Sequence, residues 1–209
     1  MEYGYLFYIV FGFLSGSILF GRIIPYLFKN IDVTKESDDG NPGVFNAFAC
    51  GGPVCGILAL VMDLLKGALP VVLCVSYIGT DSLLFALVLA APVLGHAHSA
   101  FNRGKGGKGI AVSFGVLIGL LPVWQPLALL IIWYLLFLMI IPGKSNTRKS
   151  IYAFLAFGIS AVFVVKYKMI RYGCMLISGV VIHKHYLSAI ACGQSQEKIY
   201  EKSKEGRIR

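Results

Sequence analysis

Apolar residues in this chain gather in long runs, several near the roughly 20 residues that a hydrocarbon core of about 30 Å asks of a helix. The first covers Tyr5 to Phe28, the second Val54 to Ile78 and the third Leu83 to Ala100. A fourth, short and glycine-spaced, runs from Ile110 to Leu121, and a fifth from Pro126 to Ile141. The sixth is Ile151 to Val165 and the seventh Tyr172 to Ile190. The pattern predicts an all-α membrane protein with seven transmembrane helices, residues 1–209 forming a single integral-membrane domain. The first run does not read as a signal peptide, because Glu2 precedes it and no cation appears before Arg22.

Polar residues between the runs set the orientation. Arg22, Lys29 and Lys35 follow the first run, Arg103, Lys105 and Lys108 the third, and Lys144, Arg148 and Lys149 the fifth. The tail over residues 195–209 adds Lys198, Lys202, Lys204, Arg207 and Arg209. Of the other connections, only the last, with Lys166, Lys168 and Arg171, is basic. Positive loops stay in the cytoplasm, so the N-terminus is expected outside and the basic tail inside.

Composition agrees: 57% hydrophobic and 14% charged residues, with a mean hydropathy of +0.75, exclude an ordinary soluble domain. The net charge of +9 comes from run ends and the tail, without a basic stripe and interleaved aromatics. That points to membrane lipids and anionic substrates as partners, and not to nucleic acid. Cys50, Cys55, Cys74, Cys174 and Cys192 show no CxxC spacing and read as reduced packing residues.

Three segments carry candidate chemistry. Phe101 to Gly109 packs Arg103, Lys105 and Lys108 among four glycines. Glycines let the backbone approach a ligand closely, and N–H groups with lysines converge on negative charge. A Walker A loop is excluded, because Lys108 is followed by Gly109 where that motif needs Ser or Thr. The alternative is a topology marker with flexible glycines. On the same expected face, Asp32 to Cys50 contains the turn signal Gly40-Asn41-Pro42-Gly43, with Asn46 placed to order it. Asp63 and Lys66 lie inside the second run, three residues apart on one helix face, where they neutralise each other unless Lys66 snorkels to the interface. His96 with His98, and His183 with His185, sit at the inner ends of the third and seventh runs. Their i, i+2 spacing puts each pair on different helix faces, so chelation by a pair is not expected, and no metal or cofactor is implied.

Together these residues carry a resemblance. Ser17-Ile18-Leu19-Phe20-Gly21, Gly40-Asn41-Pro42-Gly43 with Asn46, Asp63-Leu64-Leu65-Lys66-Gly67, Gly95-His96, and Lys105-Gly106-Gly107-Lys108-Gly109 resemble, in order and spacing, the bacterial acyl-phosphate:glycerol-3-phosphate acyltransferase family. The resemblance implies a seven-helix membrane enzyme with a cytoplasmic site. Such an enzyme moves an acyl chain from acyl phosphate to the sn-1 hydroxyl of glycerol 3-phosphate, giving lysophosphatidic acid and phosphate for phospholipid biosynthesis. Lys105, Gly106, Gly107, Lys108 and Gly109 are then the expected phosphate cradle, with Gly40, Asn41, Gly43, Asn46 and Lys66 as further substrate-binding residues. His183 and His96 are the expected proton handlers, with Lys108 the third catalytic residue; the donor phosphate is the alternative base.

The chain also departs from the family pattern. Asp39 stands where the family has Ser, Phe45 where it has Thr, and Ala49 where it has Arg. His98-Ser99 replaces Phe-Pro, and Gly104 an aromatic. Counting back from Gly193, Tyr186 and Ala189 replace the Asn and Arg that follow His183. Two phosphate-gripping arginines are thus absent, which keeps open a non-catalytic paralogue that binds a phosphate ligand or a partner protein. Asp63 and Lys66 keep open a small transporter, although no repeated half-sequence is visible.

Overall fold

Every secondary-structure element among the described residues is helical. The structure, a computed structural model, describes residues 2–141 and 146–205, with side chains through residue 190. Lys144, Cys192 and the cations of the basic tail lie outside the described side chains.

The first apolar run forms α1 (Glu2–Ser17) and α2 (Phe20–Lys29), bent by 40° at their junction. A single turn, α3 (Val33–Glu36), follows, N-capped by Asp32, whose carboxylate accepts from the Thr34 N–H. The second run forms α4 (Val44–Tyr77), which starts earlier than the apolar pattern implies because Gly52, at φ 81°, turns a first helical arm into the main rod. Then come α5 (Leu84–Ala97), a 3₁₀ turn at Ala100–Asn102, α6 (Ile110–Ile118), α7 (Gln125–Ile140), α8 (Asn146–Val164) and α9 (Lys168–Glu205).

Four of these pass as membrane spans by length and composition: α4, α5 with the turn after it, α8, and α9 over Lys168–Ile190. The bent pair α1–α2 makes a fifth when taken as one span. α7 is apolar but shorter, and α6, at nine residues, extends only about 14 Å, roughly half the hydrocarbon thickness.

Helices in lipid associate through small residues that let backbones approach, and two reciprocal glycine contacts do this here. A Cβ on Gly16 of α1 would fall 2.1 Å from the Pro92 carbonyl oxygen of α5, and one on Gly95 of α5 would fall 2.0 Å from that of Phe13. Likewise Gly67 of α4 abuts the Val112 carbonyl of α6, and Gly115 of α6 abuts that of Leu64. These contacts clamp α1 to α5 and α6 to α4. α5 is the central helix, packed against both α1 and α9, and its Phe85, Leu89 and Val93 meet Phe154 and Phe157 of α8 and Ile177 and Val181 of α9 in the core. Large apolar side chains on the outer faces, such as Phe7, Ile132, Leu155 and Phe163, are exposed as lipid-facing residues are.

The α1–α2 bend leaves carbonyls without helical partners, a costly state away from water. Lys66 Nζ donates to the Ile18 carbonyl at 2.5 Å and Ser99 Oγ to that of Ser17 at 2.6 Å. Sequence-distant α4 and the residue that opens the 3₁₀ turn after α5 therefore complete the break in the first span.

Candidate functional site

Where α4 begins, α5 ends and α6 begins, a cavity of about 750 Å³ opens. Its lining combines the polar Asp39, Asn46, Asp63, His96, Lys108 and His185 with the apolar Leu60, Phe114, Tyr134 and Leu138. Phe114 and Tyr134 meet edge to face at 6.0 Å between ring centroids. A charged head joined to an apolar chain fits such a space.

The glycine-lysine loop reaches the cavity by folding back over the C-terminal end of α5. Gly107 donates its N–H to the His96 carbonyl at 2.9 Å, and a Cβ on Gly106 would fall 2.0 Å from that same oxygen. Gly107 itself lies against the His96 ring, where a Cβ would fall 2.2 Å from Nε2. The two glycines serve this close approach, and the Gly107 N–H is thereby taken up within the protein. Of the two lysines, Lys108 lines the cavity beside Gly109, while Lys105 is exposed and contributes nothing to the lining.

Lys108 Nζ lies 2.8 Å from Asp39 Oδ2. Asp39 Oδ1 accepts from the Asn46 side-chain amide at 2.7 Å and from the Asn41 N–H at 3.1 Å. The Asn46 amide also reaches the Asn41 carbonyl at 2.8 Å and Ser37 Oγ at 2.9 Å, so Asn46 orders the Gly40–Gly43 turn. Gly40 takes φ 58° in that turn and does not line the cavity; Asn41 and Gly43 do. Partial burial acts to raise the Asp39 carboxyl, but the bonds from Lys108 and Asn46 outweigh it and hold it below the usual carboxylate range. On the far side of the turn, Arg22 forks onto both oxygens of Asp32 at 3.1 and 2.9 Å and reaches Asn102 Oδ1 at 2.9 Å, tying α2 and α3 to the loop. The bond from Arg22 holds the Asp32 carboxyl down to about 2, so this clip survives mild acid.

Behind the cavity wall Asp63, Lys66 and His96 form a buried triad, 1%, 6% and 3% exposed. Lys66 Nζ lies 2.7 Å from Asp63 Oδ1 and 2.9 Å from His96 Nδ1. Lys66 pairs inward and does not snorkel, and only its two partners line the cavity.

His183 is exposed, its ring 6.4 Å from that of His98, outside the cavity lining. Two residues on, His185 is 2% exposed, lines the cavity, and has both ring nitrogens without a partner among the described residues. Of the two histidines on α9, His185 and not the expected His183 lines the cavity. Residues at i and i+2 point about 200° apart around a helix, and the sequence carries no signal that fixes which of the two faces inward.

The profile described as glycerol-3-phosphate acyltransferase matches residues 6–191, most of the chain and all of the cavity. The chain belongs to the glycerol-3-phosphate acyltransferase family. The Hydrogenobaculum sp. (strain Y04AAS1) glycerol-3-phosphate acyltransferase is 32% identical over 84% of this chain and 87% of its own length. That of Solidesulfovibrio magneticus is 30% identical over 94% of this chain and 96% of its own. Among solved structures, PlsY, an integral membrane glycerol 3-phosphate acyltransferase, aligns in its glycerol 3-phosphate form with a TM-score of 0.77 and 28% identity, covering 91% of this chain and 92% of that one. Its lysophosphatidic acid form aligns with a TM-score of 0.75. The family is thus one of membrane enzymes, and the helical bundle here is that of an integral membrane protein.

Proposed function

We propose that this protein transfers an acyl chain from acyl phosphate to the sn-1 hydroxyl of glycerol 3-phosphate, releasing lysophosphatidic acid and phosphate. The single observation that supports this most is the cavity, whose lining joins Lys108, Asn46 and His185 with apolar side chains, in a chain of this family. An acyl phosphate is already activated, so positioning and charge stabilisation carry most of the rate. The acceptor oxygen attacks the acyl carbonyl carbon, its proton passes to a base, and the bond from that carbon to the phosphate oxygen breaks with the electron pair leaving on phosphate. Lys108, with the N–H of Gly109, is our phosphate grip, Asn46 orders the acceptor side, and His185, with two free nitrogens, is our base. Lys105 stands outside the cradle, as a charge that draws anions towards it.

An assay with purified protein, an acyl phosphate and glycerol 3-phosphate tests this reading: lysophosphatidic acid and phosphate should form in equal amounts, with no product from acyl-CoA. No product above a boiled control, while a relative is active in the same detergent, would instead favour the non-catalytic binder. That second reading has one observation on its side, the Asp39 carboxylate already seated on Lys108.

The same proposal places the chain in the bacterial cytoplasmic membrane with seven passes. The pair α1–α2 and each helix from α4 to α9 then alternate in direction, α6 completing its pass with residues through Leu121 and a locally thinned bilayer. Under that alternation the start of α4, the end of α5, the start of α6, the end of α7 and the start of α8, which line the cavity, all fall on the cytoplasmic side. Reporter fusions after Gly109 and after Arg209 are expected to read cytoplasmic, and an external signal from either would remove the basis for a cytoplasmic site.

A further inference from the structure

The Lys66 ammonium carries three N–H donors and no acceptor. Three groups surround it: the Ile18 carbonyl at 2.5 Å, the Asp63 carboxylate at 2.7 Å and His96 Nδ1 at 2.9 Å. The first two only accept, and an Nδ1 bearing a proton would direct it at the ammonium. Asp63 Oδ2 is 4.0 Å from Nδ1, beyond hydrogen-bond reach. Losing the Lys66 proton to solvent would strand the buried Asp63 carboxylate, and passing it to Asp63 would give up the ion pair that the 2.7 Å contact makes. The charged groups in contact with the ring are Asp63 and Lys66 from α4. With the Lys66 ammonium 2.9 Å from Nδ1, that nitrogen has no room for a proton of its own. Nδ1 is the bare nitrogen, and the proton of the neutral ring sits on Nε2.

Nε2 is the nitrogen on the loop side, against Gly107, in a ring that lines the cavity, and no hydrogen bond to it occurs among the described residues. We infer that His96 is a fixed neutral donor whose Nε2–H stabilises negative charge developing on the acyl carbonyl oxygen, held in that tautomer by the Asp63–Lys66 pair. It takes no proton from the acceptor hydroxyl. A donor set before the reaction begins needs no reorganisation when charge appears. The role rests on the acyl-transfer reading above; the tautomer does not.

Protein labelled with ¹⁵N-histidine decides the tautomer without substrate. Two-bond ¹H–¹⁵N correlation, with the ring assigned by its loss in His96→Gln, should show one protonated nitrogen, Nε2, from about pH 6 to about pH 8. A proton on Nδ1, or on both nitrogens, overturns the inference. Turnover tests the donor role. Glutamine places an amide N–H near the reach of Nε2 and asparagine near that of Nδ1, so His96→Gln should keep at least about tenfold more kcat than His96→Asn, with KM for both substrates within about twofold. Equal kcat in the two variants overturns the donor role. So does loss of the acidic limb of the kcat–pH profile in His96→Gln, since that limb would then belong to His96 as a base. Wild-type protein that transfers no acyl group defeats the acyl-transfer reading and the oxyanion role with it, leaving the tautomer to be judged by the spectra.

Discussion

Lys66→Met is expected to destabilise the protein more than any other single substitution that leaves the backbone unstrained. It strands the Asp63 carboxylate, 1% exposed, without a counter-charge, and removes the donor from the Ile18 carbonyl at the α1–α2 bend. Breaking a buried pair by deleting one partner typically costs about 3–5 kcal/mol. In a chain of this size that corresponds to a fall in Tm on the order of 10 °C. Asp63→Asn in the same background removes the stranded charge and should recover most of the loss, since a buried ion pair is worth far less than the penalty for halving it. Thermal unfolding of wild type, Lys66→Met and the double variant in one detergent measures this. A single variant as stable as wild type would mean that the pair is hydrated and that α1, α4 and α5 are joined by their glycine contacts alone.

The triad was half legible in the sequence. A carboxylate and an ammonium three residues apart inside an apolar run announce a pair, but the third member, His96, lies thirty residues on and the Ile18 carbonyl forty-eight residues back. Only the tertiary fold brings those together. Helix positions were legible because a bilayer imposes length and hydropathy directly on the chain, and the family blocks pointed to the loop that carries Lys108. What the sequence left open about placement has a common cause in phase. Gly106 and Gly107 read as a ring of N–H donors, yet their missing side chains are what lets the loop lie on the His96 carbonyl, an approach visible only once α5 is placed. Lys105 and Lys108 look equivalent in KGGKG, but turned backbone at Arg103, Gly104 and Gly109 sends one into the open and the other into the cavity. His183 and His185 are separated by the same kind of rotation on α9.

Asp39 shows how a departure from a family pattern acquires meaning from its partner. Read alone, a carboxylate where the family carries serine is a repulsive charge beside a phosphate site. In the fold it is the partner of Lys108, sixty-nine residues away, and is anchored by Asn46 and the Asn41 N–H. An incoming phosphate would therefore have to displace a tethered internal anion, and the lost arginine position at Ala49, which also lines the cavity, offers no second grip.

Lys108→Ala is accordingly expected to cost more than a single phosphate contact. A charge-assisted hydrogen bond is worth about 1.5–3 kcal/mol, roughly one to two decades in kcat/KM. Removing the lysine also leaves Asp39 unpaired in the path of the phosphate, so the loss should reach about a hundredfold or more. Asp39→Ser in the same background should return part of it, and Asp39→Ser alone should lower KM for glycerol 3-phosphate by about three- to tenfold with little change for acyl phosphate. Stability should barely respond to either substitution: the Asp39 side chain is 37% exposed, and solvent screens such a pair. The pH dependence has a fixed sign. The folded Asp39 carboxyl lies below its ordinary value, so the pair is intact above the ordinary carboxylate range and is lost as pH falls through the folded pKa. Between about pH 6 and about pH 8 the carboxylate stays seated on Lys108, and only substitution relieves the competition. Kinetics of the four proteins with both substrates varied decide the matter. Lys108→Ala with wild-type kcat/KM would remove the phosphate grip from the loop, and an Asp39→Ser variant with unchanged KM would show that the acceptor phosphate binds elsewhere in the cavity.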